Sequence, residues 1–363
     1  MWALDNRTPF AAGRGWARDR DGAEVWIVVV KGTFLVERDG RLRVPSVQPA
    51  VTPAPKFRGD PQTTSLLSDA EITLRKPTSD ILLHGHAYAP RGKPVPNVDV
   101  CFRVGTLLKA LSVFGDRYWR VGLLGLKQSP PEPFQKMPIV YERAFGGRDP
   151  AEPDKHWDPR NPVGRGYAHG TDRLAGWHVP NIENPAELIG SPRAHPAPAG
   201  FGPIACHWIP RVQLGGTYDK KWEEERQPLV PEDFQDRFFQ SAPADQQYPD
   251  YLRGGEFVQL CNLTPEGLLR FRLPRITLGF ETFFADGSVH HMARIHTLIL
   301  EPDVPRFQIV WQTQLPCHSK VVELRKTRIF LKKRLARGGG GGAPAEFSIE
   351  TRQVTAGVPG AGS

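Results

Sequence analysis

The 363-residue chain is 39% hydrophobic and 24% charged, an ordinary globular composition with length enough for a large core and two domains. Its 36 Pro and 36 Gly interrupt helices repeatedly and favour strands joined by turns. The net charge of +8 comes from 47 Lys and Arg mixed among 39 Asp and Glu, so charge alone does not point to nucleic acid. The one dense basic stretch, Leu324 to Arg337, reads as a solvated strand with a frayed end, and no nucleic-acid partner is expected. Cys101, Cys206, Cys261 and Cys317 are widely spaced without a Cys-x-x-Cys pair, which argues against a disulfide scaffold or zinc ribbon and fits a reducing compartment. No basic-then-apolar leader opens the sequence, and runs such as Val25 to Val30 are too short to span a bilayer. The expectation is a soluble, cytoplasmic protein with no membrane partner.

In chain order, residues 1–126 form a β-rich part. Glu24 to Val36 is dense in β-branched and aromatic residues, and Asp39-Gly40 then turns into Arg41 to Val44, a hairpin signal. Thr78 to Tyr88 is another strand. Val98 to Gly105 alternates apolar with polar residues and turns around Gly105 into Leu107 to Phe114. Residues 127–250 lose periodicity and fill with Pro, Gly, Asn and Trp. Disordered chains are poor in aromatics, so Trp157, Trp177, Trp208 and Trp222 predict an ordered, irregular layer, with short helices around Asp219 to Glu225 and Pro231 to Phe239. Residues 251–337 return to strands: Phe257 to Leu263, Leu268 to Leu273, Arg275 to Phe284, Ser288 to Leu300, Phe307 to Leu315 and Val321 to Leu331. Their alternation predicts strands that bury one face each. Residues 338–363 begin with five glycines and read as a flexible tail. The predicted fold is mainly β, with sandwich-like antiparallel sheets at both ends and a loop-rich middle carrying short helices.

Few residues suggest catalysis. His290, His291 and His296 lie near Asp286, and in one continuous strand His290 and His296 would share a face. Such a set could serve a metal-dependent hydrolase, but six extended residues span roughly 20 Å, too far for two ligands of one ion. Cys206-His207 and Cys317-His318 are adjacent pairs whose side chains point opposite ways in a strand. No phosphate loop, dinucleotide fingerprint or nucleophile elbow is present. No cofactor, metal or catalytic residue is therefore assigned.

Clusters that couple Gly or Pro with an aromatic, Arg or Asp stand out instead: Phe114 to Trp119, Tyr141 to Gly147, Asn161 to Gly166, Val179 to Glu183, Gly200 to Pro203 and Gly215 to Asp219. Such residues fix loop shape and supply amphipathic contact surface. They can equally lock the middle onto the sheets as satisfied internal pairs, and one residue can do both. Asp116, Arg117, Trp119, Arg143, Asn161, Asn181, Glu183, Trp222 and Phe234 are the candidates for building or shaping an interface.

The same clusters carry a resemblance. KPTSD at 76–80, GHAYAPRGKPV at 85–95, VFGDRYW at 113–119, MPIVYERAFGG at 137–147, NPVGRGY at 161–167, VPNIENP at 179–185, GTYDKKW at 216–222, PEDFQDRFF at 231–239 and APADQQ at 242–247 occur in one order. Together they resemble the bacterial domain-of-unknown-function family 2169, from near the N-terminus to about residue 330. The chain departs from that pattern at Gln312, where an Arg would follow the Trp. The resemblance implies a non-enzymatic adaptor or chaperone of type VI secretion. Such a protein would bind an effector carrying a PAAR-like spike-tip domain, and possibly the spike protein, before loading.

Overall fold

The computed structural model describes residues 2–332, apart from 124, 150, 318 and 319, together with the backbone of a short strand at Phe347–Ile349. The protein is mainly β, with most strand pairs antiparallel.

Glu24–Val36 is the spine of a seven-strand central sheet. Arg306–Pro316 pairs antiparallel along one side of it, and Ala11–Arg18 and Leu42–Val44 share the other. Arg294–Glu301 and Asp80–Leu83 extend the sheet beyond Arg306–Pro316. The unbroken apolar run of the spine has a physical reason. Trp26, Val28, Val30 and Phe34 enter the main core on one face, while Val25, Ile27 and Val29 pack with Val310 on the other. The strand is thus covered on both sides, and so are its partners Arg306–Pro316 and Arg294–Glu301, where the expectation of one buried face per strand fails.

A second, five-strand sheet runs Ile182–Glu183, Leu107–Phe114, Asn97–Val104, Phe257–Cys261, Leu268–Arg272, all antiparallel. Here alternation holds: Val98, Val100, Phe102 and Val104 point inward while Asn97, Asp99 and Arg103 face out. The two sheets meet through a stack in which Phe307 lies 5.1 Å from Phe34 and 5.0 Å from Phe271. A third sheet sets Ala3–Asn6 parallel to Lys326–Leu331, followed by Leu278–Phe283 and Ser288–His291. Trp26 ties it to the spine by donating its indole N–H to Thr327 Oγ1 at 2.9 Å.

Strands from before residue 126 and after residue 251 are thus combined within each large sheet. The hairpins at Asp39-Gly40 and Gly105 form as their turn residues predict, and Thr264 to Gly267 turns Phe257–Cys261 into Leu268–Arg272. Thr78 to Tyr88 divides into Asp80–Leu83 and His86–Tyr88, and Ser288 to Leu300 divides at Met292-Ala293 into strands of two different sheets. Val321 to Leu331 opens with a 3₁₀ turn, Val321–Glu323, before its strand. Of the basic stretch, Arg328 is a sheet residue paired with Asp5 and Glu281; Lys333 to Arg337 lie outside the described residues.

Residues 127–250 hold strands of two to four residues, several 3₁₀ turns and the only α-helix among the described residues. That helix, Lys220–Glu225, starts where Asp219 accepts the Trp222 N–H in a side-chain cap.

Candidate functional site

Irregular backbone needs partners for its polar groups, and here side chains supply them. Tyr141–Arg143 makes a 3₁₀ turn and leads to Phe145–Gly146, which pairs with Arg165–Gly166. Asn161 is fully buried below this bridge, and its Nδ2 donates to Tyr141 O at 2.8 Å and Phe145 O at 2.9 Å. Gly146, at φ +140°, has no room for a side chain, since a Cβ there would lie 2.3 Å from Asn161 O.

Asn181, also fully buried, is the hub of a charged node. Its Oδ1 accepts from Arg143 and from Arg165, each at 3.1 Å, and its Nδ2 donates to Phe114 O and to Asp116 Oδ1. Asp116 also lies 3.4 Å from Arg143. Partial burial would raise the Asp116 carboxyl, but the Asn181 hydrogen bond and the charges of Arg143, His178 and Arg165 outweigh it and hold the group below the usual carboxylate range.

Arg117 and Glu183 form a buried ion pair beside this node. Arg117 also donates to Pro180 O and Gln128 Oε1, and its guanidinium stacks 4.0 Å from the Phe114 ring centroid. The other carboxylate oxygen of Glu183 accepts the Ile189 N–H at 2.7 Å, so both charges are answered. Trp119 is buried with Phe145, Leu174, Val179 and Ile189 in a small separate core, so it shapes the region from within.

Seven of the nine candidate residues therefore converge. Trp222 and Phe234 do not; they belong to the segment 217–239, where Trp222 donates to Leu229 O at 2.7 Å and Phe234 packs on Phe238 and Phe239. Beside the node opens a cleft of about 350 Å³, lined by Arg148, Arg165, Tyr167, Trp177, His178 and glycine backbone at 146, 164, 166 and 176. Arg148 reaches from it over Trp157, which is 40% exposed.

Sequence reasoning did not single out Arg165, although an Arg set between two glycines was the available signal. It also passed over Asp80, which is fully buried and anchors the middle to the central sheet. Asp80 pairs with Lys76 at 2.7 Å and accepts the Ser241 N–H at 2.8 Å, while Gln246 donates to Ile81 O and Phe201 O.

The histidines are not brought together. His290 is exposed near Glu281, His291 bridges Thr282 and Thr313, and His296 is buried in the central sheet beyond the Met292-Ala293 break. Asp286 pairs with Lys320. Cys206 is exposed and Cys317 buried, and His318 lies outside the described residues. Among the described residues no group of three His, Cys, Asp or Glu side chains could hold a metal ion, and no helix is long and apolar enough to cross a membrane.

Fold and node together define a layered, mainly β protein whose irregular middle is held by buried amides and ion pairs. The chain belongs to the DUF2169 family, described as uncharacterized protein conserved in bacteria, whose model matches residues 21–312 and so includes the whole node and cleft. No curated protein and no solved structure matches the chain.

Proposed function

We propose that the protein is a non-enzymatic adaptor or chaperone that works in the bacterial cytoplasm. In this reading it binds a type VI secretion effector, or its PAAR-like spike-tip domain, and helps load it onto the spike. The observation that carries the reading is the fixed shape of the middle. Asn161, Asn181 and the Arg117–Glu183 pair hold a glycine-lined cleft, with Arg148, Trp157 and Trp177 around it. A preset surface of aromatic and Arg side chains binds without a large ordering penalty. The segments that hold the cleft, at 113–119, 137–147, 161–167 and 179–185, are among those that carry the resemblance to the DUF2169 family, from which the secretion role is taken.

The test is co-expression of the tagged chain with PAAR-like spike-tip proteins of the same bacterium. The pair is expected to co-purify. Replacing Trp157 and Arg148 by Ala is expected to weaken binding about tenfold or more, with an unchanged melting temperature. Full binding by that double variant, or a wild-type chain that retains no partner, would overturn the reading.

A further inference from the structure

In the five-strand sheet, Cys101 and Cys261 stand directly opposite each other on neighbouring antiparallel strands. Val100, Phe102 and Leu260 beside them in sequence are buried, so both thiols project from the outer face, where each cysteine is partly exposed. Gly105 N–H donates to Phe257 O at 2.9 Å, and the register keeps step from there to the two cysteines. Hydrogen-bonded and non-hydrogen-bonded pairs alternate along such a ladder. The cysteines are therefore a hydrogen-bonded pair, with Cα atoms about 5.5 Å apart. That separation lies inside the range of about 4.4 to 6.8 Å that a disulfide bridges.

The two thiols have different neighbours. Gln259, two residues before Cys261 on the same face, donates its amide N–H to Cys261 Sγ at 3.4 Å. Arg270, directly opposite Gln259, fixes that amide, because its Nε donates to Gln259 Oε1 at 3.1 Å. A guanidinium can only donate, so the amide oxygen faces Arg270 and the NH₂ group faces the sulfur. An N–H aimed at the sulfur favours its thiolate. Cys101 is set the other way. Burial, and then Cys261 beside it, push its thiol up to about 11, so it stays protonated at neutral pH.

We propose that Cys261 and Cys101 are a reversible redox pair, Cys261 the attacking thiol and Cys101 the resolving one, whose oxidant is a low-molecular-weight disulfide such as glutathione disulfide. The Cys261 thiolate attacks one sulfur of that disulfide, whose S–S bond breaks and releases one thiolate. Cys101 then gives its proton to solvent and attacks Cys261 Sγ, which expels the second thiolate. The two cysteine sulfurs are oxidised, and the small disulfide is reduced to two thiols that take up, through solvent, the two protons the cysteines lose. Cβ atoms lie farther apart in a hydrogen-bonded pair than in the alternative pair, so the bond carries strain and is readily reduced again. It fastens Asn97–Val104 to Phe257–Cys261, strands that lie on either side of residues 127–250 in the sequence. The inference goes beyond the adaptor reading and does not depend on it.

The test incubates the reduced full chain with excess glutathione disulfide and maps the cysteines by mass spectrometry of a non-reducing digest. The expected product is a pair of peptides joined through Cys101 and Cys261, separated again by reduced glutathione. Exposed Cys206 serves as the reactivity control, and buried Cys317 is expected to remain a thiol. Cys101→Ser is expected to hold glutathione on Cys261, whereas Cys261→Ser leaves Cys101 unmodified. Adding Gln259→Leu to Cys101→Ser is expected to slow adduct formation about threefold, since the lost thiolate fraction is partly offset by higher intrinsic nucleophilicity. Glutathione on Cys206 without a Cys101–Cys261 link in the unsubstituted chain would overturn the proposal. So would a link that reduced glutathione does not reverse, or Cys101 in Cys261→Ser reacting as fast as Cys261 in Cys101→Ser.

Discussion

In the strand Glu24–Val36, neighbouring strands answer the backbone and apolar side chains fill most of both faces, with the buried Lys31–Glu71 ion pair at 2.7 Å as the polar exception. The segment from Tyr141 to Glu183 has almost no ladder, and a few buried polar side chains stand in for it: Asn161 for two carbonyls, Asn181 for four partners, Arg117 and Glu183 for each other. The sheets spread their stability over many contacts, whereas the middle concentrates it in a few. The contrast teaches where the molecule is fragile: an isosteric change to one polar group should disturb the middle more than loss of a methylene disturbs the sheets.

The sharpest break of this contrast is Arg117→Met, which leaves Glu183 buried and unpaired. It is expected to cost about 3–5 kcal/mol, with protease cleavage within 127–250 appearing before the sheets unfold. Acid comes next. His84 is pushed down to about 4 by burial and by the Arg58 charge, and His291 to about 4 by burial and by His290, from an ordinary 6.5. Each folded pKa lies below its unfolded value, so the unfolded chain binds more protons between them. The stability these groups contribute is complete above 6.5 and falls as pH drops toward 4, by at most about 3 kcal/mol each. Thermal melts from pH 7 to pH 4 should record the loss, and His84→Asn with His291→Asn should flatten it. Both residues pack on the sheets, so acid should loosen the sheets rather than the middle.

Asn161→Ala strands two buried carbonyls and is expected to cost about 2–3 kcal/mol, again with local protease sensitivity at 141–166. Ile81→Val, deep in the central sheet, is expected to lower the melting temperature by the equivalent of about 1 kcal/mol with an unchanged cleavage pattern. If Ile81→Val opened the middle as readily as Asn161→Ala does, the two regions would not differ in the way described.

Much of the regular part was legible in the sequence because its signals are local. Asp39-Gly40 and Gly105 specify hairpins, and Asp219 caps its helix. Long-range pairing was not legible: nothing in Glu24–Val36 announces Arg306–Pro316 as its neighbour, and only the both-sided apolar run hints that the strand is central. The histidine argument assumed one continuous strand. The Met292-Ala293 break, and the bulge between Ile295 and Thr297, separate His290 from His296 instead. In the middle, mixed Gly, Pro and polar clusters marked the segments that converge. Which side chain answers which carbonyl depends on chain segments tens of residues apart, so Arg165 and Asp80 stood out only once the fold placed them.

Hydrogen exchange on the full chain, alone and with a PAAR-like spike-tip protein of the same bacterium as the proposed partner, tests the central claim most directly. The account predicts slow amides across 141–183 in the free chain, held by Asn161 and Asn181, and further protection there in the complex. Exchange of that segment at random-coil rates in the free chain, or a complex whose footprint misses it, would contradict the claim.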